Sequence, residues 1–193
     1  MVGGPYFGAK ARINVWNPDP HGTISISQIW VVSSHKNYDQ LNSVEAGWIS
    51  DGYRSTGCYN HDCPGFVQHK ESGQWWVQYQ NEPIGYWPNS IFTTLKNGAD
   101  LLSWGGEIVN NGINHHTETQ MGSGHFPAEG FGRASFFSNI EYIDSSRLLR
   151  DPNKFITYAT KPSCYDVKVA IDNSALGAHF FYGGPGYSDK CRI

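Results

Sequence analysis

The sequence predicts an all-β protein, an antiparallel sandwich of two facing sheets with one short helix near residues 88–97. Two features of composition and one of pattern predict it. Aromatic residues reach 15% and glycines number 22 while charged residues make up only 16%, a mixture that favours short strands, tight turns and ring packing over long surface helices. Runs of strand length also follow one another between Gly, Pro, Asp and Asn, several alternating apolar and polar with a period of two. A chain of 193 residues accommodates one domain with a sizeable core, and one domain over residues 1–193 is expected.

The elements follow in order. In "YFGAKARINVW", Ala9, Ala11, Ile13 and Val15 alternate against Lys10, Arg12, Asn14 and Trp16, the period of a half-buried strand, and "NPDPHG" ends it. "TISISQIWVV" sets Ile24, Ile26, Gln28 and Trp30 on one side of the pleat; from Ile29 onward both faces are apolar, which predicts a central strand. "GQWWVQYQ" and "NEPIGYW" read as a strand and its return. In "WPNSIFTTLKNGA", Pro88 can open a helix, Ile91, Phe92 and Leu95 share a side, and Gly98 can close it. "HHTETQMGSGHF", "GRASFFSNIEYID", "KFITYAT", "CYDVKVAI" and "GAHFFYGGPG" are further strand-length pieces, undivided by any repeat or linker.

Charge and hydropathy exclude several function classes. The formal net charge of −3 comes with scattered basic residues, leaving no footprint for nucleic acid. No apolar run approaches the ~18 residues that a membrane-spanning helix needs. The opening "MVGGPYFGAKARINVW" lacks a charged segment followed by an apolar one, and no signal peptide is expected in this chain. Cys58 and Cys63 in "GCYNHDCPGF", with Cys164 and Cys191 near the end, form an even set that suits disulfides in an oxidising compartment. A four-thiolate zinc site usually takes two close pairs, and Cys164 lies far from Cys191 in sequence.

Two glutamates stand out in a sequence poor in charge. Along "LNSVEAGW", alternation places Leu41, Ser43, Glu45 and Gly47 on one face and Val44, Ala46 and Trp48 on the other. Along "LLSWGGEIV", Ser103, Gly105 and Glu107 share a face opposite Trp104 and Gly106. Each acid thus has small neighbours on its own face, which leave room for a ligand beside the carboxylate. A glutamate on a strand more often simply faces solvent, and pattern alone leaves that reading open.

The segments "YFGAKARINVWNP", "SISQIWVVS", "LNSVEAGW", "TGCYNHDCPGFVQ", "GYWPNSIF", "WGGEIVN", "TQMGSGHFPAEGFGRASFF", "CYDV" and "FYGGPG" resemble, in order and over the whole chain, the neprosin family of plant glutamic endopeptidases. The resemblance implies a β-sandwich peptidase that cleaves after proline at acid pH without a cofactor. It implies Glu45 and Glu107 as the catalytic pair, and disulfides joining Cys58 to Cys63 and Cys164 to Cys191. It further implies an origin in a secreted precursor whose signal and N-terminal propeptide are absent here, an extracellular or acidic secretory location, and proline-containing peptides as partners of a monomer. Two carboxylates facing one water would hold one shared proton, the ionised member taking a proton from water and the protonated one assisting the leaving group. Trp48 and Tyr53, close to Glu45 in sequence, are candidate walls of a proline pocket. Relative to the family pattern, about one hairpin is missing after "EAGW", and only "HKES" joins "GFVQ" to "GQWW". The alternative is therefore an inactive, shortened sandwich that binds carbohydrate or protein.

Other constellations carry less. His115, His116, Glu118 and His125 invite a metal reading, but the spacing is not H-E-x-x-H and no second cluster completes a tetrahedral set; no metal is expected. Ser123 in "MGSGHF" has Met121 and His125 where a nucleophile elbow needs glycines, two residues to either side, and the adjacent glycines read as a bend or a close backbone approach. Trp16, Trp30, Trp75, Trp76 and Tyr79 could offer flat rings to a sugar, and paired carboxylates also serve glycoside hydrolysis.

Overall fold

Two antiparallel sheets enclose one cluster of buried side chains, and the strands that build them alternate in and out as the sequence period requires. A computed structural model of the chain describes residues 1–21, 23–50, 66–68, 71–80, 82–110, 117–171, 175–189 and 191. Twelve strands are found among them: β1 Val2–Tyr6, β2 Gly8–Ile13, β3 Ile24–Ser33, β4 Asn42–Ser50, β5 Phe66–Gln68, β6 Trp75–Tyr79, β7 Glu82–Trp87, β8 Ala99–Val109, β9 Ser135–Ile143, β10 Leu149–Arg150, β11 Asp166–Ile171 and β12 Ala178–Gly183.

The smaller sheet has the order β1-β8-β3-β4 and the larger runs β11-β12-β9-β2-β5-β6-β7, with β10 added beside β9. β3 is central, as its apolar faces predict: it pairs with β4 from Ser25 to Ser33 and with β8 from Ile24 to Val32. Ile29, Val31 and Leu102 from the smaller sheet meet Ala9, Ala11, Ile13, Phe137, Phe180 and Tyr182 from the larger, all buried. Phe137 stacks on Phe180 with ring centroids 5.0 Å apart. One polar contact across this core is made by Tyr182, whose hydroxyl donates to Ser27 Oγ at 2.5 Å; such a bond satisfies a group that burial would otherwise penalise.

The helix expected over 88–97 does not form. Two 3₁₀ turns, Asn89–Ile91 and Leu95–Asn97, take its place. The reason is Asn42, whose Oδ1 accepts from the backbone N–H groups of Thr93 at 2.9 Å, Thr94 at 2.9 Å and Leu95 at 3.3 Å. Those amides are thereby taken from any i→i−4 ladder. Leu95 is buried as the pattern suggests, whereas Ile91 is 59% exposed.

Two further strand expectations also fail. "KFITYAT" pairs with no strand; Pro152 precedes it, and Phe155 is held by its ring, 6.4 Å from Trp104 and 6.3 Å from Phe180 between centroids. The segment from Thr117 to Phe126 forms an isolated bridge, Met121 to Gly184, and a turn. Gly122 there has φ 64° and a Cβ on it would lie 2.2 Å from Ser135 Oγ, the close approach that its glycine predicts.

Candidate active site

Glu45 and Glu107 stand on the two strands that flank β3, and both point to the face of the smaller sheet that is turned away from the core. Period two explains this: Val44 and Trp48 on β4 and Leu102 on β8 take the core side, leaving both carboxylates exposed. Read across β4, β3 and β8, successive rows on the glutamate face are Glu45–Trp30–Ser103, Gly47–Gln28–Gly105 and Ile49–Ile26–Glu107. The two acids therefore sit at opposite corners of this patch. Strand rise and spacing put their Cα atoms roughly 16 Å apart, several ångströms beyond what two glutamate side chains can span.

That register corrects one expectation. The carboxylates are not contact neighbours and do not share a proton directly; they flank a space. The middle row has one side chain, Gln28, between two glycines. Its Nε2 donates to Glu45 Oε2 at 2.8 Å, while Ser43 Oγ donates to Glu45 Oε1 at 2.8 Å. Both oxygens of Glu45 are thus oriented by donors, whereas the Glu107 carboxylate makes no hydrogen bond among the described residues.

An open cleft of ≈ 1330 Å³ reaches both glutamates. It reaches around the edge of β8: Trp30 lines it on the glutamate face, while Trp104, on the core side of β8, lines it together with the segment Phe155–Lys161, where Ile156 is 72% and Tyr158 84% exposed. On the outer edge of β8, β1 pairs at Ala99 and Leu101, and Met1 continues the contact: its carbonyl accepts from the Leu102 N–H at 2.9 Å and its amino group donates to the Leu102 carbonyl at 2.5 Å. Tyr165 also lines the cleft; its hydroxyl donates to the Thr119 carbonyl at 2.9 Å, and burial pushes its pKa up to about 12, so it stays protonated in acid and at neutrality.

The other candidate residues fall as follows. Trp48 is 2% exposed and its indole Nε1 donates to the Asn14 carbonyl at 3.1 Å, so it is a core residue and not a wall of the cleft. Closeness in sequence misleads here, because a residue three along a strand lies on the opposite face. Tyr53, Cys58, Cys63, His115 and His116 lie outside the described residues. Cys164 and Cys191 are joined by a disulfide with Cα atoms 4.9 Å apart. Glu118 is not on a strand, and His125 Nδ1 is within 2.8 Å of Glu129. No group of three or more His, Cys, Asp or Glu among the described residues could hold a metal ion. The five rings considered for sugar binding share no face: Trp75 is fully buried, Trp30 belongs to the smaller sheet and Trp76 packs on Tyr86 in the larger. Sequence reasoning missed Gln28 as a neighbour of Glu45 and Phe155–Lys161 as a wall. The first was detectable only as the one long polar side chain in the "SISQIW" strand.

Fold and cleft together define an antiparallel β-sandwich protein with a two-carboxylate cleft. The family model described as Neprosin matches residues 21–72 and 68–185. The chain belongs to the neprosin family, and membership points to a peptidase-like function. The match is made in two pieces that meet at residues 68–72, between β5 and β6, where the connection is short. The disulfide is consistent with a secreted protein.

Proposed function

We propose that the protein is a glutamic endopeptidase that cleaves after proline at acid pH, with Glu45 and Glu107 as its acid–base pair and no cofactor. The observation that carries the reading is that both glutamates of a neprosin-family chain lie on one face of one sheet and line one cleft. Their separation supports a flanking arrangement, with the scissile peptide between them.

Glu45, which accepts two hydrogen bonds, is the base. It takes a proton from water as the oxygen bonds to the peptide carbonyl carbon. Glu107, protonated, passes its proton to the leaving nitrogen as the C–N bond breaks. The products are a carboxyl group and an amine, and the proton on Glu45 returns through solvent to Glu107. Water is consumed and the pair is restored. Trp30, in the row of Glu45 on the glutamate face, and the exposed ring of Tyr158 offer apolar surface that a proline ring would take. A monomer acting outside the cell or in an acidic secretory compartment fits this chemistry.

The test is cleavage of a quenched proline-containing peptide from acid to neutral pH by the wild-type chain, Glu45→Gln and Glu107→Gln. Acid-limited cleavage lost in both variants is expected. No cleavage by a folded wild-type chain would sink the enzyme reading and leave a binding module.

A further inference from the structure

We propose that Gln28 is the positioning residue of the two-carboxylate site and that its amide sets the polarity of the pair. The inference rests on the peptidase reading above and adds to it which group orders the acids. Gln28 pairs with Gly47 on β4 and with Gly105 on β8, so Glu45 and Glu107 are its diagonal neighbours on opposite sides. Diagonal neighbours in an antiparallel sheet lie roughly 7–8 Å apart, within reach of long side chains. The 2.8 Å bond from Nε2 to Glu45 shows that the reach is used on one diagonal.

The surroundings clear the space for this amide. A Cβ on Gly47 would stand 2.4 Å from both the Cα and the Cβ of Gln28, so no larger residue shares that position. A Cβ on Gly105 would meet nothing within 4 Å, so the ground between Gln28 and Glu107 is open. An amide carries donors on nitrogen and an acceptor on oxygen, pointing in diverging directions. With Nε2 turned to β4, Oε1 turns away from it, and it makes no hydrogen bond among the described residues. An acceptor on that side suits a carboxyl that keeps its proton. The donor suits a carboxylate that has none. The amide therefore distinguishes two otherwise similar acids: Glu45 is held as the acceptor and Glu107 is left as the proton donor.

The experiment has two arms on the full chain. In the first, kcat and KM for the proline peptide are measured against pH for wild type, Gln28→Leu and Gln28→Glu. Gln28→Leu is expected to lower kcat on the order of 10- to 100-fold with KM within about twofold, the mark of lost alignment rather than lost binding. Gln28→Glu keeps both a donor and an acceptor while its carboxyl is protonated; it is expected to retain activity at the acid end and lose it at lower pH than wild type does. A kcat for Gln28→Leu within twofold of wild type, with both proteins folded by circular dichroism, overturns the proposal.

The second arm reads geometry without activity, by following the Gln28 side-chain NH₂ signals in ¹⁵N–¹H spectra. They are expected to move in Glu45→Gln and in Glu107→Gln, and to stay in Glu141→Gln, whose acid pairs with Lys10 on the larger sheet. A shift in Glu45→Gln alone overturns the assignment of Gln28 to both acids. If the wild type cleaves nothing, the peptidase reading fails by itself and this second arm still decides the placement of Gln28.

Discussion

Gly47 and Gln28 face one another across β4 and β3 so closely that a Cβ on the glycine would stand 2.4 Å from the Gln28 Cβ and 1.9 Å from the Ser27 carbonyl oxygen. The glycine of "EAGW" is thus explained by packing beside the acid two residues before it. Replacing it must push back a central strand. Gly47→Ala is expected to lose about 2 kcal/mol of stability, read as a fall in melting temperature of about 4–8 °C. Gly105→Ala, in open space on the other side of Gln28, is expected to melt within about 2 °C of wild type. Equal losses from the two substitutions would contradict the packing account.

The acids should behave as a unit. Glu45→Gln and Glu107→Gln are each expected to lower kcat at least about 100-fold. The double variant should fall little further than either single one, because groups serving one step are not additive. Multiplicative losses would show that the two act independently.

Tyr182 predicts an alkaline limb in stability. Burial, the largest cause, pushes its hydroxyl well above the ordinary tyrosine range, against a smaller opposing effect of the neighbouring Ser27 and Ser135 hydroxyls. Because the folded value is raised, the stabilisation is present below the unfolded pKa of about 10 and is lost as pH rises through the folded value. Denaturant midpoints should therefore fall above about pH 10 in wild type and fall less in Tyr182→Phe. At neutral pH the same variant should cost about 1 kcal/mol, for the bond to Ser27. An unchanged alkaline limb would refute the assignment.

The disulfide between Cys164 and Cys191 closes a separation of 27 residues. In the chain-entropy account a loop of that size is worth about 3.5 kcal/mol. Thermal melts of a Cys164→Ala/Cys191→Ala variant are expected to show a loss of that order. A melting temperature equal to that of wild type would show the bridge to be dispensable.

Tyr158, at 84% exposure on the wall of the cleft, should matter to substrate and not to folding. Tyr158→Ala is expected to raise KM for the proline peptide several-fold with an unchanged melting temperature. A variant that melts early but binds normally would give the residue a structural role instead.

Much of this architecture is legible in local pattern. The alternation of Ala9, Ala11 and Ile13 names their buried side, the apolar run after Ile29 marks β3 as central, and the same period turns Glu45 and Glu107 away from the core. Local pattern failed where a distant group intervened. Asn42 captures the amides of Thr93, Thr94 and Leu95, so a helical pattern closes into two turns. Phe155 lodges between Trp104 and Phe180, so a strand-like run becomes a wall of the cleft.

The sequence by itself determined the β class, the faces of the strands and the two acids as candidates, because a period of two follows from backbone geometry within one strand. Only the tertiary structure decided that Glu45 and Glu107 lie at opposite corners of a patch with Gln28 between them. Register across three strands is set by hydrogen bonds between residues far apart in the chain, and no local period carries it.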